Sequence, residues 1–287
     1  MKAWVTLLTK ANYLPGVETL HASLQASGTR WPLVVMVTEE IAPAECQRLR
    51  EQGCLIRAVM PLNPGNQSAE HYVAERFTDV WTKLRSWELT EFERVVFLDA
   101  DMLVMQNMDE LLEMPLPEQG IAACHACRCN PNHIANYPRS WTPENCAYSW
   151  QERNQPTPDR LDNYLNSGLL VLTPDEQVFQ QLEAAIAAIT DLSAYPFPEQ
   201  DLLNEFFAKR WTPLPWIYNA LKTLAFQHPK LWRLEEAKNI HYILDKPWTR
   251  DWRQPENERD NYYALDSLWR ERAPASALAD ASGSGSD

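Results

Sequence analysis

Short apolar runs separated by amphipathic stretches recur along the first hundred residues of the chain. Trp4 to Thr9 predicts a strand, and the turn formers in Lys10 to Gly16 predict a loop after it. Val17, Leu20, Ala22 and Leu24 follow at spacings compatible with a helix that stops at Ser27-Gly28. Pro32 to Val37 predicts a second strand, and Pro43 to Gln52 a helix ended by Gly53. Leu55 to Val59 predicts a third strand, Pro61 to Gln67 a loop, and Thr82 to Thr90 a helix with Leu84, Trp87 and Leu89 on or near one face. Strands alternating with helices predict an α/β fold, Rossmann-like, with a mostly parallel central sheet and helices on both faces.

The next strand, Val95-Val96-Phe97-Leu98, is apolar at every position, as a strand buried on both faces must be, and it runs into Asp99-Ala100-Asp101. Open α/β sheets bind ligands at the carboxyl ends of their strands. Two carboxylates placed there are costly unless a cation or a basic partner offsets them. Taken alone, the segment is either a cation site or a strand that ends in an acidic turn.

Beyond it, Met102 to Val104 is apolar and Met108 to Glu113 predicts a short helical turn. Asn130 to Pro158 is rich in Pro, Asn and aromatic residues without periodicity, a long irregular excursion of the kind that often carries function. Gly168 to Thr173 predicts a buried strand, Asp175 to Thr190 a helix, Glu199 to Phe207 a helix opened by Pro198, and Asn239 to Ile243 a strand. Residues 1–272 form one domain on this reading. The Ala, Ser and Gly of Ala273 to Asp287 predict a disordered tail.

Composition narrows the function classes. Hydrophobic residues make up 45% of the 287 and charged residues 23%, the usage of an ordinary soluble protein, and no apolar run reaches bilayer length. The amino terminus has too short an apolar run for a signal region, so a cytoplasmic protein is expected. A net charge of −13 argues against nucleic-acid or anionic-membrane partners. A phosphate-bearing ligand would therefore need local positive charge, which a divalent cation on the two aspartates would supply. The six cysteines are expected to be reduced thiols. Cys124, Cys127 and Cys129, with His133 nearby, raise a structural zinc site. The absence of a second Cys-x-x-Cys pair favours reading Ile121 to Cys129 as a strand of small residues.

Phe97-Leu98-Asp99-Ala100-Asp101 resembles the metal-binding Asp-x-Asp motif of glycogenin and its relatives, the family-eight retaining glycosyltransferases of GT-A fold. Five further segments resemble the family's motifs in order: Val5 to Thr9 with Tyr13; Thr82-Lys83-Leu84; Asn166-Ser167-Gly168; Gln200 within Glu199 to Asn204; and His241 followed by Lys246-Pro247-Trp248. The resemblance implies Asp99, Asp101 and His241 as ligands of Mn²⁺ or Mg²⁺, with Ala100 between the acids at the donor. It implies Leu7, Thr9 and Tyr13 as uracil and ribose contacts, Lys83 and Lys246 near the donor sugar and the phosphates, and Asn166 and Ser167 on the sugar. Gln200 and Glu199, with Asn166 and Lys83, are implied as the catalytic set. By its residues alone, His241 between Ile240 and Tyr242 reads first as a hydrogen-bonded core histidine.

The implied reaction moves galactose or glucose from a UDP-sugar to a small soluble acceptor, myo-inositol being the first choice. Glu199 departs from the family's usual aspartate, which shifts its carboxylate by about one bond length. Phe226 stands near the place of glycogenin's acceptor tyrosine, so self-glucosylation there is not expected. The short His241–Lys246 spacing and the long excursion resemble galactinol-synthase-like members. One rival is a phosphohydrolase of the Asp-x-Asp type, whose acid pair normally follows the first strand. The other is a nucleotide-sugar-binding protein with lost or purely hydrolytic turnover. A homodimer is compatible with the sequence.

Overall fold

The computed structural model describes residues 1–64, 75–131, 133–158, 161, 163–254 and 260–283. Its strands are β1 (Lys2–Leu8), β2 (Leu33–Val37), β3 (Leu55–Ala58), β4 (Arg94–Leu98), β5 (Met102–Val104), β6 (Ile121–His125), β7 (Leu165–Leu172), β8 (Trp211–Leu214), β9 (Ala220–Leu221) and β10 (Asn239–His241). Seven of them form the central sheet in the order β3-β2-β1-β4-β7-β6-β8, and β5-β10-β9 form a second, small sheet. Side chains alternate across the central sheet as a strand requires. Ala3 and Val5 of β1, Val95 and Phe97 of β4, and Leu170 and Leu172 of β7 enter one core. Trp4, Leu8, Val96, Leu98, Leu169 and Val171 enter the core on the opposite face. A third cluster packs Leu103, Tyr148, Trp216, Ile240, Tyr242, Trp248 and Trp269 about the small sheet.

The α/β architecture expected from the alternation is present, with one strand reversed. β7 pairs antiparallel with both β4 and β6, whereas β1, β2, β3 and β4 are mutually parallel and β6 is parallel to β8. A fully buried apolar run carries no mark of direction, so the sequence does not reveal the reversal. Its consequence is local to the site: the beginning of β7, with Asn166-Ser167-Gly168, lies beside the end of β4, and Asp99 N donates to Gly168 O at 2.8 Å.

The helices are α1 (Leu14–Ala26), α2 (Pro43–Glu51), α3 (Ala147–Glu152), α4 (Glu176–Ala187), α5 (Pro198–Phe206), α6 (Leu224–Gln227), α7 (Tyr263–Arg272) and α8 (Ala275–Gly283). Asp175 caps α4 through hydrogen bonds from Gln177 N and Val178 N. Four expectations are corrected. The helix expected over Thr82 to Thr90 is a 3-10 helix, Glu75–Glu88. α1 begins inside the expected loop, with Pro15 in its first turn. The irregular excursion contains α3. The tail is not disordered through its length, because α8 buries Ala277 and packs Leu278 on the third cluster. Alanine has high helix propensity, which outweighs the small-residue composition. Residues 65–67 of the expected loop and 284–287 of the tail lie outside the described residues.

Candidate active site

Two chain reversals assemble a site at the carboxyl end of β4. After Asp99 and Asp101 the chain returns as β5, which pairs antiparallel with β10 so that His241 faces Met102. Tyr242 N then donates to Asp101 O at 2.8 Å. His241 Nε2 lies 3.1 Å from Asp101 Oδ1 and 3.7 Å from Asp99 Oδ2. One donor atom from each of Asp99, Asp101 and His241 lies within 4.8 Å of the other two. His241 is buried, as the core reading requires, but its ring points at the acids.

Backbone donors fix the orientation of every amide behind the imidazole. Gly168 N donates to Asn166 Oδ1 at 3.1 Å, and Ser167 N donates to Gln200 Oε1 at 3.2 Å. With Asn166 Oδ1 an acceptor, Asn166 Nδ2 donates to Gln200 Oε1 at 3.0 Å, and Asn219 Nδ2 donates to Asn166 Oδ1 at 2.7 Å. Asn219 therefore presents its oxygen to His241 Nδ1, 2.8 Å away, and Nδ1 donates to it. Gln200 Nε2 donates to the Tyr164 hydroxyl at 3.1 Å, which donates to Asp201 Oδ1 at 2.5 Å. Gly168 has no room for a side chain: a Cβ there would stand 2.4 Å from His241 Cε1.

The charges are arranged in pairs. Lys83 is almost fully buried and lies 2.9 Å from both Asp99 Oδ1 and Glu199 Oε1. Burial works against its charge, but the two carboxylates outweigh burial and raise its pKa. Glu199 Oε1 also accepts from Ser167 Oγ at 2.7 Å. Lys246 reaches across to Asp101 Oδ2 and donates to Tyr242 O at 3.0 Å, with its ammonium 6.0 Å from the centre of the Tyr13 ring. Burial raises the Asp99 carboxyl, and the charge of Asp101 adds to that against Lys83. Asp101 is held well below the ordinary carboxylate range, because Lys246 and His241 outweigh its burial.

These residues fit a divalent cation on two counts. Asp99, Asp101 and Glu199 carry three negative charges against the two ammonium groups of Lys83 and Lys246. With Nδ1 committed to Asn219, Nε2 is the ring nitrogen aimed at the two carboxylates, so all three side chains direct a donor atom at one point.

The site opens into a cavity of about 250 Å³ lined by Leu7, Thr9, Tyr13, Ala100, Asn166, Ser167, Glu199 and Gln200 as well as the metal trio and both lysines. All the donor, metal and catalytic residues that the resemblance implies thus line one cavity. Tyr13 is braced by Trp248, edge-on at 5.5 Å, whose Nε1 donates to Asn12 O. The far wall comes from the excursion: Trp141 stacks on Phe197 at 4.6 Å and 10°, and Tyr137 packs edge-on against both rings. Tyr137, Trp141, Phe197, Tyr164 and Asn219 were not identified as site residues from the sequence. Tyr164 had a usable signal, since it stands two residues before Asn166 and so on the same face of the strand.

The glycosyl transferase family 8 model matches residues 4–252. Galactinol synthase 4 of Arabidopsis thaliana is 30% identical over 275 residues, covering 93% of this chain and 80% of its own length. Galactinol synthase 1 of Solanum lycopersicum is 29% identical over 273 residues with the same coverage. Among solved structures, the galactosyltransferase LgtC in complex with donor and acceptor sugar analogs superposes with a TM-score of 0.64 at 17% identity, over 98% of this chain and all of its own. That likeness shows the GT-A fold. With the family match spanning most of its length, the chain belongs to glycosyl transferase family 8 and is a glycosyltransferase.

Proposed function

We propose that the protein transfers galactose or glucose from a UDP-sugar to a small polyol or sugar, with retention of the anomeric configuration. myo-Inositol is the first candidate acceptor, and the cytoplasm the expected compartment. The observation that carries this reading is the convergence of Asp99, Asp101 and Nε2 of His241 on the floor of a cavity with two unlike walls. The likeness to galactinol synthases supports galactose and inositol over other pairs.

On the donor side, Leu7, Thr9 and Tyr13 receive the uridine, with Tyr13 offering an aromatic edge or face to the base. Oxygen donors with one imidazole suit Mn²⁺ somewhat better than Mg²⁺. Asp99, Asp101 and His241 would hold a divalent ion, which would supply Lewis-acid stabilisation of the diphosphate's charge. Lys246 adds a second cation at that end of the cavity, and Lys83 does so beneath the sugar.

Gln200 and Glu199 act by position. Gln200 uses both ends of its amide, toward Asn166 and Ser167 on one side and Tyr164 on the other. Glu199 is tied to Lys83 and Ser167. One oxygen of its carboxylate, Oε1, meets both. This arrangement favours a same-face attack in which the leaving diphosphate takes the acceptor's proton, with Asn166 and Ser167 selecting the sugar's hydroxyl pattern. The aromatic wall of Tyr137, Trp141 and Phe197 offers an apolar face to the ring of the acceptor.

The test is product analysis. Protein, Mn²⁺, UDP-galactose or UDP-glucose and myo-inositol are incubated, and the product is read by the coupling constant of its anomeric proton. An α-linked hexosyl-inositol is expected. A β-linked product would overturn retention, and release of free hexose alone would establish the hydrolytic rival.

A further inference from the structure

Cys127, Cys129, Cys146 and His228 meet in a second constellation, outside the carboxylate site. Each offers one donor atom, and the four atoms lie within 4.8 Å of one another. His228 Nε2 is 3.5 Å from Cys127 Sγ, 3.4 Å from Cys129 Sγ and 3.8 Å from Cys146 Sγ. From this set we infer that the protein holds a structural zinc ion in a Cys₃His site that fixes the wall of the active cavity formed by the excursion.

The distances carry the inference. A tetrahedral zinc with Zn–S of about 2.3 Å and Zn–N of about 2.0 Å sets its S···N edges at about 3.5 Å. The three S···N distances cluster at that value. The ring is also oriented from behind: His228 Nδ1 lies 3.3 Å from Glu152 Oε2, the carboxylate–histidine arrangement that directs Nε2 to a metal. Ser149 Oγ lies 3.3 Å from Cys129 Sγ, a further polar contact to a ligand sulfur. Cys129, Cys146 and His228 are buried, and without an ion Nε2 would face three sulfurs, which are poor hydrogen-bond partners. The zinc site raised from the sequence is thus corrected in its membership. Cys124 instead lies with its sulfur 3.2 Å from Pro215 O, and His133 is exposed.

The placement gives the ion a task. Cys127 and Cys129 follow β6, Cys146 precedes α3 inside the excursion, and His228 ends α6, so one ion joins the start and the middle of the excursion to α6. Ala126, Cys127, Asn130 and Pro131 line the cavity. Thiolates select zinc, whereas the oxygen-rich trio of Asp99, Asp101 and His241 does not discriminate for it. The assignment stands apart from any choice of sugar or acceptor.

Elemental analysis of the full chain, purified under reducing conditions without added metal, tests the inference. One zinc per chain is expected, retained in the presence of excess Mn²⁺, unchanged in Asp101→Asn and lost in Cys146→Ser and His228→Ala. A second readout needs only the wild-type protein: after removal of bound metal, added Co²⁺ should give intense tetrahedral d–d bands and thiolate-to-cobalt charge transfer. Zinc far below one per chain together with no cobalt–thiolate absorption would overturn the site. So would zinc that Asp101→Asn removes, or a disulfide among the three cysteines in the fresh, unreduced protein.

Discussion

Asn219 Oδ1 lies 2.8 Å from His241 Nδ1, and this contact decides which imidazole nitrogen faces the two aspartates. Its direction is inherited from Gly168 N and Ser167 N, through Asn166, at the start of the one reversed strand. A backbone feature of β7 thus sets the ring orientation of a side chain on β10.

Removing the oxygen at 219 should therefore weaken metal binding without touching a ligand. Asn219→Ala is expected to lower the Mn²⁺-dependent affinity for UDP by about 10–100-fold, the usual cost of losing a ligand's orienting partner. Asn219→Asp keeps an acceptor for Nδ1 and should lose less. Calorimetric titration of UDP with and without Mn²⁺ reads the effect, and equal affinity in wild type and Asn219→Ala would contradict the relay.

Gly168 is required by space. A Cβ would meet His241 Cε1 at 2.4 Å and Nδ1 at 2.8 Å. Gly168→Ala should push the ring from the aspartates, costing about 1–3 kcal/mol of stability as an overpacked buried site does. It should also abolish Mn²⁺ stimulation of activity. Denaturant unfolding and a metal titration of activity measure the two losses.

Lys83 neutralises two carboxylates at once, so Lys83→Met leaves Asp99 and Glu199 facing each other. The expected loss is about 3–5 kcal/mol, the cost of breaking a buried pair from one side. Adding Glu199→Gln removes one of the stranded charges and should restore part of that loss. Additive losses in the double variant would show that the pairing is not what holds Lys83 in place.

Asp201 gives a pH signature. Burial raises its carboxyl from 3.8 to about 7, more than the hydrogen bonds from Tyr164 and Phe197 N lower it. The folded state then binds a proton that the unfolded state releases, so its contribution to stability is full below about pH 4 and is lost as pH rises toward 7. In Asp201→Asn that part of the slope should disappear. Unfolding free energies measured across this pH window would show it, and an unchanged slope would place the titration elsewhere.

Local patterns make the acid pair and the alternating elements legible in the sequence. Asp99 and Asp101 terminate a fully apolar strand, which is a signal contained within seven residues. His241 acquires its role from the antiparallel pairing of β5 with β10, and nothing in Ile240-His241-Tyr242 states that pairing; only the resemblance to glycogenin pointed to it. Tyr164 and Asn219 act by holding Gln200, Asn166 and His241, and such positioning leaves no spacing of its own. Tyr137 and Trp141 of the aromatic wall lie in the long excursion, but Trp141 reaches Phe197 through tertiary packing alone. Ala277 is buried in α8 although the composition of Ala273 to Asp287 predicts disorder, because alanine's helix propensity outweighs it.

The most direct test of the metal-dependent nucleotide-sugar site is thermal unfolding of wild type and Asp101→Asn with UDP and UDP-hexoses, each with and without Mn²⁺. Ligand binding raises the midpoint with the logarithm of ligand excess over its dissociation constant. Wild type should be stabilised by UDP and by one UDP-hexose only when Mn²⁺ is present, and Asp101→Asn by neither. Equal stabilisation with and without the metal, or an unchanged response in Asp101→Asn, would contradict the assignment of Asp99, Asp101 and His241 as the metal site.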